Sequence, residues 1–167
     1  MDEAKEECVG CGAVVPRIQG PVHRYMTSAP GCWAMYGELA AHFFSDAGWG
    51  EEERQNCADT FAVQHPGTPM PQAIQSVGGH LVGLYARLEL GLTVDRAREI
   101  MLRGINDKGF FHWLTPPSFR NTHTVGFMLA NQNDPARSRE WAASAWQAWA
   151  PQHKQVRTWY ETLAADH

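Results

Sequence analysis

Between Pro71 and Leu88 the apolar residues Ile74, Val77, Leu81, Leu84 and Leu88 recur three or four positions apart. That is the repeat of one helical face, and no stretch of the chain shows the two-residue alternation of a half-buried strand. The pattern predicts a mainly α fold, a compact multi-helix domain. Gly78-Gly79 interrupts this helix at its centre. Two glycines there cost about 2 kcal/mol relative to alanines, so a closely packed neighbour is expected over them.

The other helices follow from similar signals. Pro30-Gly31 opens a first helix whose stripe is Cys32, Tyr36, Leu39, Ala40 and Phe43, and a turn over Asp46–Gly50 follows it. Glu51 to Gln64 reads as a second helix, with three glutamates at its electropositive end. Pro66 forces His65 out of helical conformation, making Gln64-His65-Pro66-Gly67 a stop and turn. Thr93 to Asn106 reads as a fourth helix and Thr122 to Ala130 as a short one, with an irregular aromatic loop around Phe110–Trp113 between them. Asp134-Pro135 starts a last long helix carrying Trp146, Trp149, Val156, Tyr160 and Leu163, kinked at Pro151.

At 167 residues the chain suits one domain: a polar tail over 1–7, then a single helical domain over 8–167. Within it, residues 8–31 form a loop-rich, zinc-knuckle-like layer on helices spanning 32–165. A net charge of −4 without basic clusters argues against nucleic acid as a partner. Apolar runs stop short of the ~18 residues of a membrane span, and the acidic N-terminus lacks secretory character, so a cytoplasmic protein is expected.

Cysteine placement carries the chemistry. Cys8-Val9-Gly10-Cys11-Gly12 has knuckle spacing, whose small residues let two thiolates face one ion. Cys32, in the first turn of its helix, is the third candidate ligand for a Zn²⁺ ion, since a helix N-terminus favours thiolate. His23 leads for the fourth position, with His65 and His80 as alternatives. Cys57, mid-helix beside Ala58 and Phe61, reads as core. His65 shares a face with Cys57 and Phe61, and His80 lies at the edge of its helix's apolar stripe, one turn after Ser76. Together with Asp59, a candidate general base or histidine orienter, these residues (Asp59, His65, Ser76, His80) outline a candidate catalytic pocket. The seven tryptophans fall mostly on helical stripes and read as packing.

Five boxes carry a resemblance: Cys8-x2-Cys11-Gly12, Gly20-Pro21-x-His23-x-Tyr25, Pro30-Gly31-Cys32-Trp33-Ala34-x-Tyr36-Gly37-Glu38, Gln64-His65-Pro66-Gly67 and Ala73-Ile74-Gln75-Ser76-Val77-x-x-His80-Leu81. The chain resembles an uncharacterised bacterial family of small single-domain proteins, a domain of unknown function, from about residue 8 to the Trp141–Trp149 segment. The family pattern has Tyr where this chain has Phe61, so no role for a phenol carries over. The resemblance implies no activity. The residues themselves point to a zinc-binding helical protein acting as a metal-dependent small-molecule enzyme, by hydrolysis or by carbonyl or water activation. The alternatives are a non-catalytic, zinc-stabilised adaptor presenting the Phe110–Trp113 loop to a protein partner, and thiol redox chemistry at Cys8 and Cys11.

Overall fold

The computed structural model describes residues 3–45 and 48–165. Met1 and Asp2 of the polar tail, Asp46 and Ala47 of the first interhelical turn, and Asp166 and His167 lie outside the described residues. Seven α-helices are found among the described residues: α1 (Pro30–His42), α2 (Glu51–Gln64), α3 (Pro71–Leu84), α4 (Val94–Asn106), α5 (Val125–Ala130), α6 (Ser138–Ala148) and α7 (His153–Ala165). The class is mainly α, as the periodicity predicts. No described helix is long and apolar enough to cross a membrane.

Several features depart from the sequence reading. Residues Lys5–Glu7 form a strand, β1, paired antiparallel with β2 (Val14–Pro16), with Glu6 opposite Val15. At three residues each, these strands are too short to show alternation, and part of the polar tail is therefore sheet. The last long helix is broken rather than kinked. Residues Ala150–Gln152, containing Pro151, form a 3-10 turn between α6 and α7, because proline supplies no N–H to continue the ladder. Asp134 likewise precedes a 3-10 turn, Pro135–Arg137, and makes no capping hydrogen bond.

Helix α2 sits between two apolar cores. One, built by α3, α4, α6 and α7, centres on Leu81, Leu84, Ile100, Trp149 and Trp159. The other joins α1, α5 and the N-terminal layer through Val15, Leu39, Phe61, Met128 and Trp141. Because α2 is covered on two sides, its inward polar groups must find partners. Gln64 donates to the His123 carbonyl at 2.7 Å and accepts from the Trp141 indole at 3.1 Å. The Val63 carbonyl accepts from the Trp149 indole at 3.1 Å. The tryptophans thus pack the core and pin α6 to α2.

Gly78 and Gly79 have the close neighbours their helix position demands. A Cβ at Gly78 would meet the Phe111 ring at 2.4 Å, and one at Gly79 would meet Ile105 at 2.8 Å. Phe111 is a buried plug between α3 and α4, leaving His112 as the exposed residue of the aromatic loop.

Candidate metal centre

Three separate pieces of chain converge on one point. Cys8 and Cys11 lie on the turn that leaves β1, closed by Gly12 N–H to the Cys8 carbonyl at 2.9 Å and Cys8 N–H to the Ala13 carbonyl at 2.8 Å. Gly12 sits at φ +75°, a left-handed conformation that glycine adopts without penalty. Cys32 comes from the first turn of α1, just after Pro30 and Gly31. His65 caps the C-terminal end of α2, with ψ 63° instead of a helical value, as the following proline requires.

Backbone contact brings these pieces together. A Cβ at Gly10 would lie 2.0 Å from the Thr27 carbonyl and 2.6 Å from His65 Cδ2. One at Gly31 would lie 2.0 Å from the Pro16 carbonyl. Only glycine lets the knuckle approach the α2 stop and lets β2 lie on the start of α1.

The ligand atoms of Cys8, Cys11, Cys32 and His65 all lie within 4.8 Å of one another, and all four residues are buried. The Cys11 and Cys32 sulfurs are 3.8 Å apart, and Cys32 Sγ lies 3.4 Å from His65 Nε2. Metal–sulfur bonds of about 2.3 Å in a tetrahedron give sulfur–sulfur edges of about 3.8 Å, so the spacing fits an ion and not a disulfide. His65 Nδ1 is 2.7 Å from the Phe61 carbonyl, which can only accept. Nδ1 therefore carries a proton, and Nε2 is the ring nitrogen turned toward the thiols, the orientation a ligating histidine needs once an ion displaces any proton there. The Ala29 N–H donates to Cys8 Sγ at 3.4 Å, favouring a thiolate there.

Protonation tells the same story. Contacts with the thiols of Cys11 and Cys32 drive Cys8 toward thiolate, while contacts with Cys11 and Cys8 hold the proton on Cys32. Burial opposes charge on His65, but contacts with Cys11 and Cys8 outweigh it and push the imidazole up to about 9. A buried cluster so rich in thiols ionises fully only around a cation. Cys57 stands apart as a buried neutral thiol, pushed up to about 12 by burial and by Glu53.

The remaining sequence candidates lie elsewhere. His23 is outside the cluster. Its Nδ1 accepts from the Tyr25 N–H at 3.4 Å, and its ring meets Tyr25 and Trp33 edge-on at 4.3 and 5.3 Å. The catalytic pocket outlined by Asp59, His65, Ser76 and His80 is divided between two places. His65 belongs to the cysteine group. His80 Nδ1 lies 2.6 Å from Asp59 Oδ1, while Ser76 is half-buried on α3 one turn earlier.

Asp59 also accepts from Gln55 at 2.8 Å and from Arg87 at 2.5 Å. Arg87 reaches Asn56 as well, and Asn56 donates to Ser138 at 3.1 Å. Burial would raise the Asp59 carboxyl, but the His80 hydrogen bond and charge, then Arg87 and Gln55, hold it below the usual carboxylate range. The space bounded by Gln55, Asp59, Gly83, Arg87 and Met101 leaves no volume for a water molecule. This cluster ties α2 to α3 and α6. Sequence patterning does not single out Arg87, although a lone arginine within Leu84-Tyr85-Ala86-Arg87-Leu88 is a signal for a buried charge. It sits on a π-helical turn, Tyr85–Glu89, that directs it inward.

Residues 6–150 match a family described as a family of unknown function, DUF5946. The chain belongs to this family. It matches no curated protein and no solved structure. The matched span holds all four residues of the cysteine–histidine group, and α7 lies beyond it.

Proposed function

We propose that this protein is a non-catalytic binding domain whose N-terminal layer is fastened to its helices by a structural zinc ion on Cys8, Cys11, Cys32 and His65. One observation carries this reading: four buried protein ligand atoms, drawn from the knuckle, α1 and the end of α2, lie within 4.8 Å of one another. Four protein ligands close a tetrahedral ion, whereas a catalytic zinc keeps a position for water. Three sulfurs and one imidazole nitrogen are a donor set that zinc prefers over harder cations. The thiols must stay reduced to ligate, which suits a reducing compartment.

The geometry favours the enzyme reading less, because Asp59 and His80 are spent on a packed ion-pair network and the space beside Asp59 and Arg87 holds no water-sized volume. The adaptor reading through Phe110–Trp113 is weakened by the burial of Phe111. Redox chemistry at Cys8 and Cys11 would compete with ligation.

Metal analysis of the purified chain tests the proposal. About one zinc per chain is expected in the wild type and in His23→Ala and His80→Ala, with loss in Cys32→Ser and His65→Ala. A wild type without stoichiometric metal, or full zinc in His65→Ala, overturns it.

A further inference from the structure

Two of the sequence boxes, the one that supplies Cys32 and the Gly20–Tyr25 box, also wall a cleft of about 420 Å³ on the outer face of the N-terminal layer. His23, Arg24 and Tyr25 come from the Gly20–Tyr25 box, Trp33 from the start of α1, and Met70 and Gln72 from the N-terminal end of α3. The size lies in the range of small-molecule sites, roughly 300–1,000 Å³.

The walls are rigid. Trp33 follows Cys32 directly and stacks on Tyr36 at 5.9 Å. Phe61, 5.8 Å from Trp33, stacks in turn on His65 at 3.9 Å, so the cleft floor continues into the proposed zinc site. On the other wall the Tyr25 carbonyl lies against Gly67, where a Cβ would approach it to 2.1 Å.

Its chemistry is one-sided. Trp33, Tyr25 and Met70 offer apolar and aromatic surface, which suits a flat ring. Among the lining residues there is no carboxylate, and Arg24 is an exposed guanidinium that forms no ion pair among the described residues. Burial and the neighbouring Arg24 keep His23 below its usual value, hence neutral. Since Nδ1 accepts the Tyr25 N–H, His23 carries its proton on Nε2 and is a second donor on the cleft wall. Aromatic cages also hold quaternary ammonium groups, but a guanidinium on the rim repels them.

We propose that this cleft binds a planar aromatic carboxylate, its ring against Trp33 and its carboxylate toward Arg24 and His23. The inference gives a ligand class to the binding role proposed above and rests on the zinc site for the rigidity of the cleft floor.

The test uses the full metal-loaded chain and three probes of one shape: naphthalene-2-carboxylate, naphthalene-2-carboxamide and 2-naphthylmethylammonium. Calorimetry gives the affinities, and the Trp33 indole N–H signal, assigned with Trp33→Phe, reports the location. The carboxylate is expected to shift that signal and to bind about tenfold more tightly than the amide, with the ammonium weakest. Arg24→Glu, at an exposed position, should keep its metal and lose about tenfold for the carboxylate. Equal binding of carboxylate and amide, an unchanged affinity in Arg24→Glu, shifts confined to other residues, or no binding of any probe each overturns the proposal. Metal content is measured on the same samples. Carboxylate binding by a chain that lacks zinc would sink the structural-zinc reading and leave the cleft standing.

Discussion

Asp59 shows what a single buried residue does in this molecule. Its carboxylate is fully enclosed by Gln55, His80 and Arg87, and each of its oxygens has a charged or hydrogen-bonding partner. Removing one side of such a pair leaves the other charge buried alone, a loss of about 3–5 kcal/mol. Asp59→Asn should therefore lower the unfolding free energy obtained from urea titration by that amount, with metal content retained. The sign of its pH dependence follows from the direction of the shift. The folded carboxyl lies below its unfolded value of about 3.9, so its contribution is complete above about pH 4 and is lost as pH falls through the folded value. Wild type and Asp59→Asn should converge in stability as pH falls through that window. A gap of constant size down to pH 2 would remove Asp59 from this role.

Among the elements, α3 depends most on close approach. Gly78 faces the Phe111 ring, and Gly104 of α4 faces the same ring from the other side at 2.5 Å. An alanine at either position gains helix propensity of about 1 kcal/mol but drives its methyl into a buried aromatic that also meets Trp159 edge-on at 5.0 Å. Overpacking of this kind costs about 1–3 kcal/mol and exceeds the gain. Gly78→Ala should thus destabilise in thermal melts despite better intrinsic helicity, and Gly78→Ala combined with Phe111→Leu should recover part of the loss. A stabilised Gly78→Ala would refute the packing account. The end of α3 shows a different device. The π turn over Tyr85–Glu89 turns Tyr85, Ala86 and Arg87 inward, where uninterrupted α periodicity would have given that place to Leu88.

At the scale of the whole molecule, the two cores respond differently to loss of an ion. The core around Val15, Leu39 and Phe61 includes Cys8, Cys11 and Cys32 themselves. The core of α3, α4, α6 and α7 contains none of the four proposed ligands. Structural zinc supplies about 10–16 kcal/mol of apparent binding free energy in small domains, more than most domains have in reserve. Chelation should accordingly raise hydrogen exchange in β1, β2 and the first turn of α1 while amides in α3 and α4 stay protected. Uniform exchange throughout both cores would show that the halves unfold as one unit.

Much of this was legible in the chain. The stripes of α1 and α3 follow helical periodicity, a local property that burial of one face enforces. The Glu51–Gln64 helix has the bounds its glutamates and His-Pro-Gly stop predict, and spacing and helix position point to Cys8, Cys11 and Cys32. The choice of histidine was not legible. His23 and His65 are both flanked by turn residues, and what separates them is clearance between backbones distant in sequence, at Gly10 against Thr27 and at Gly67 against Tyr25. The same holds for Asp59, whose inward orientation depends on Arg87 and so on a π turn 28 residues away. Periodicity and local turn chemistry are properties of neighbouring residues, and the sequence determines them by itself. Which side chains meet at a buried point depends on how helices cross and where a missing Cβ lets them touch, and only the tertiary structure decides that.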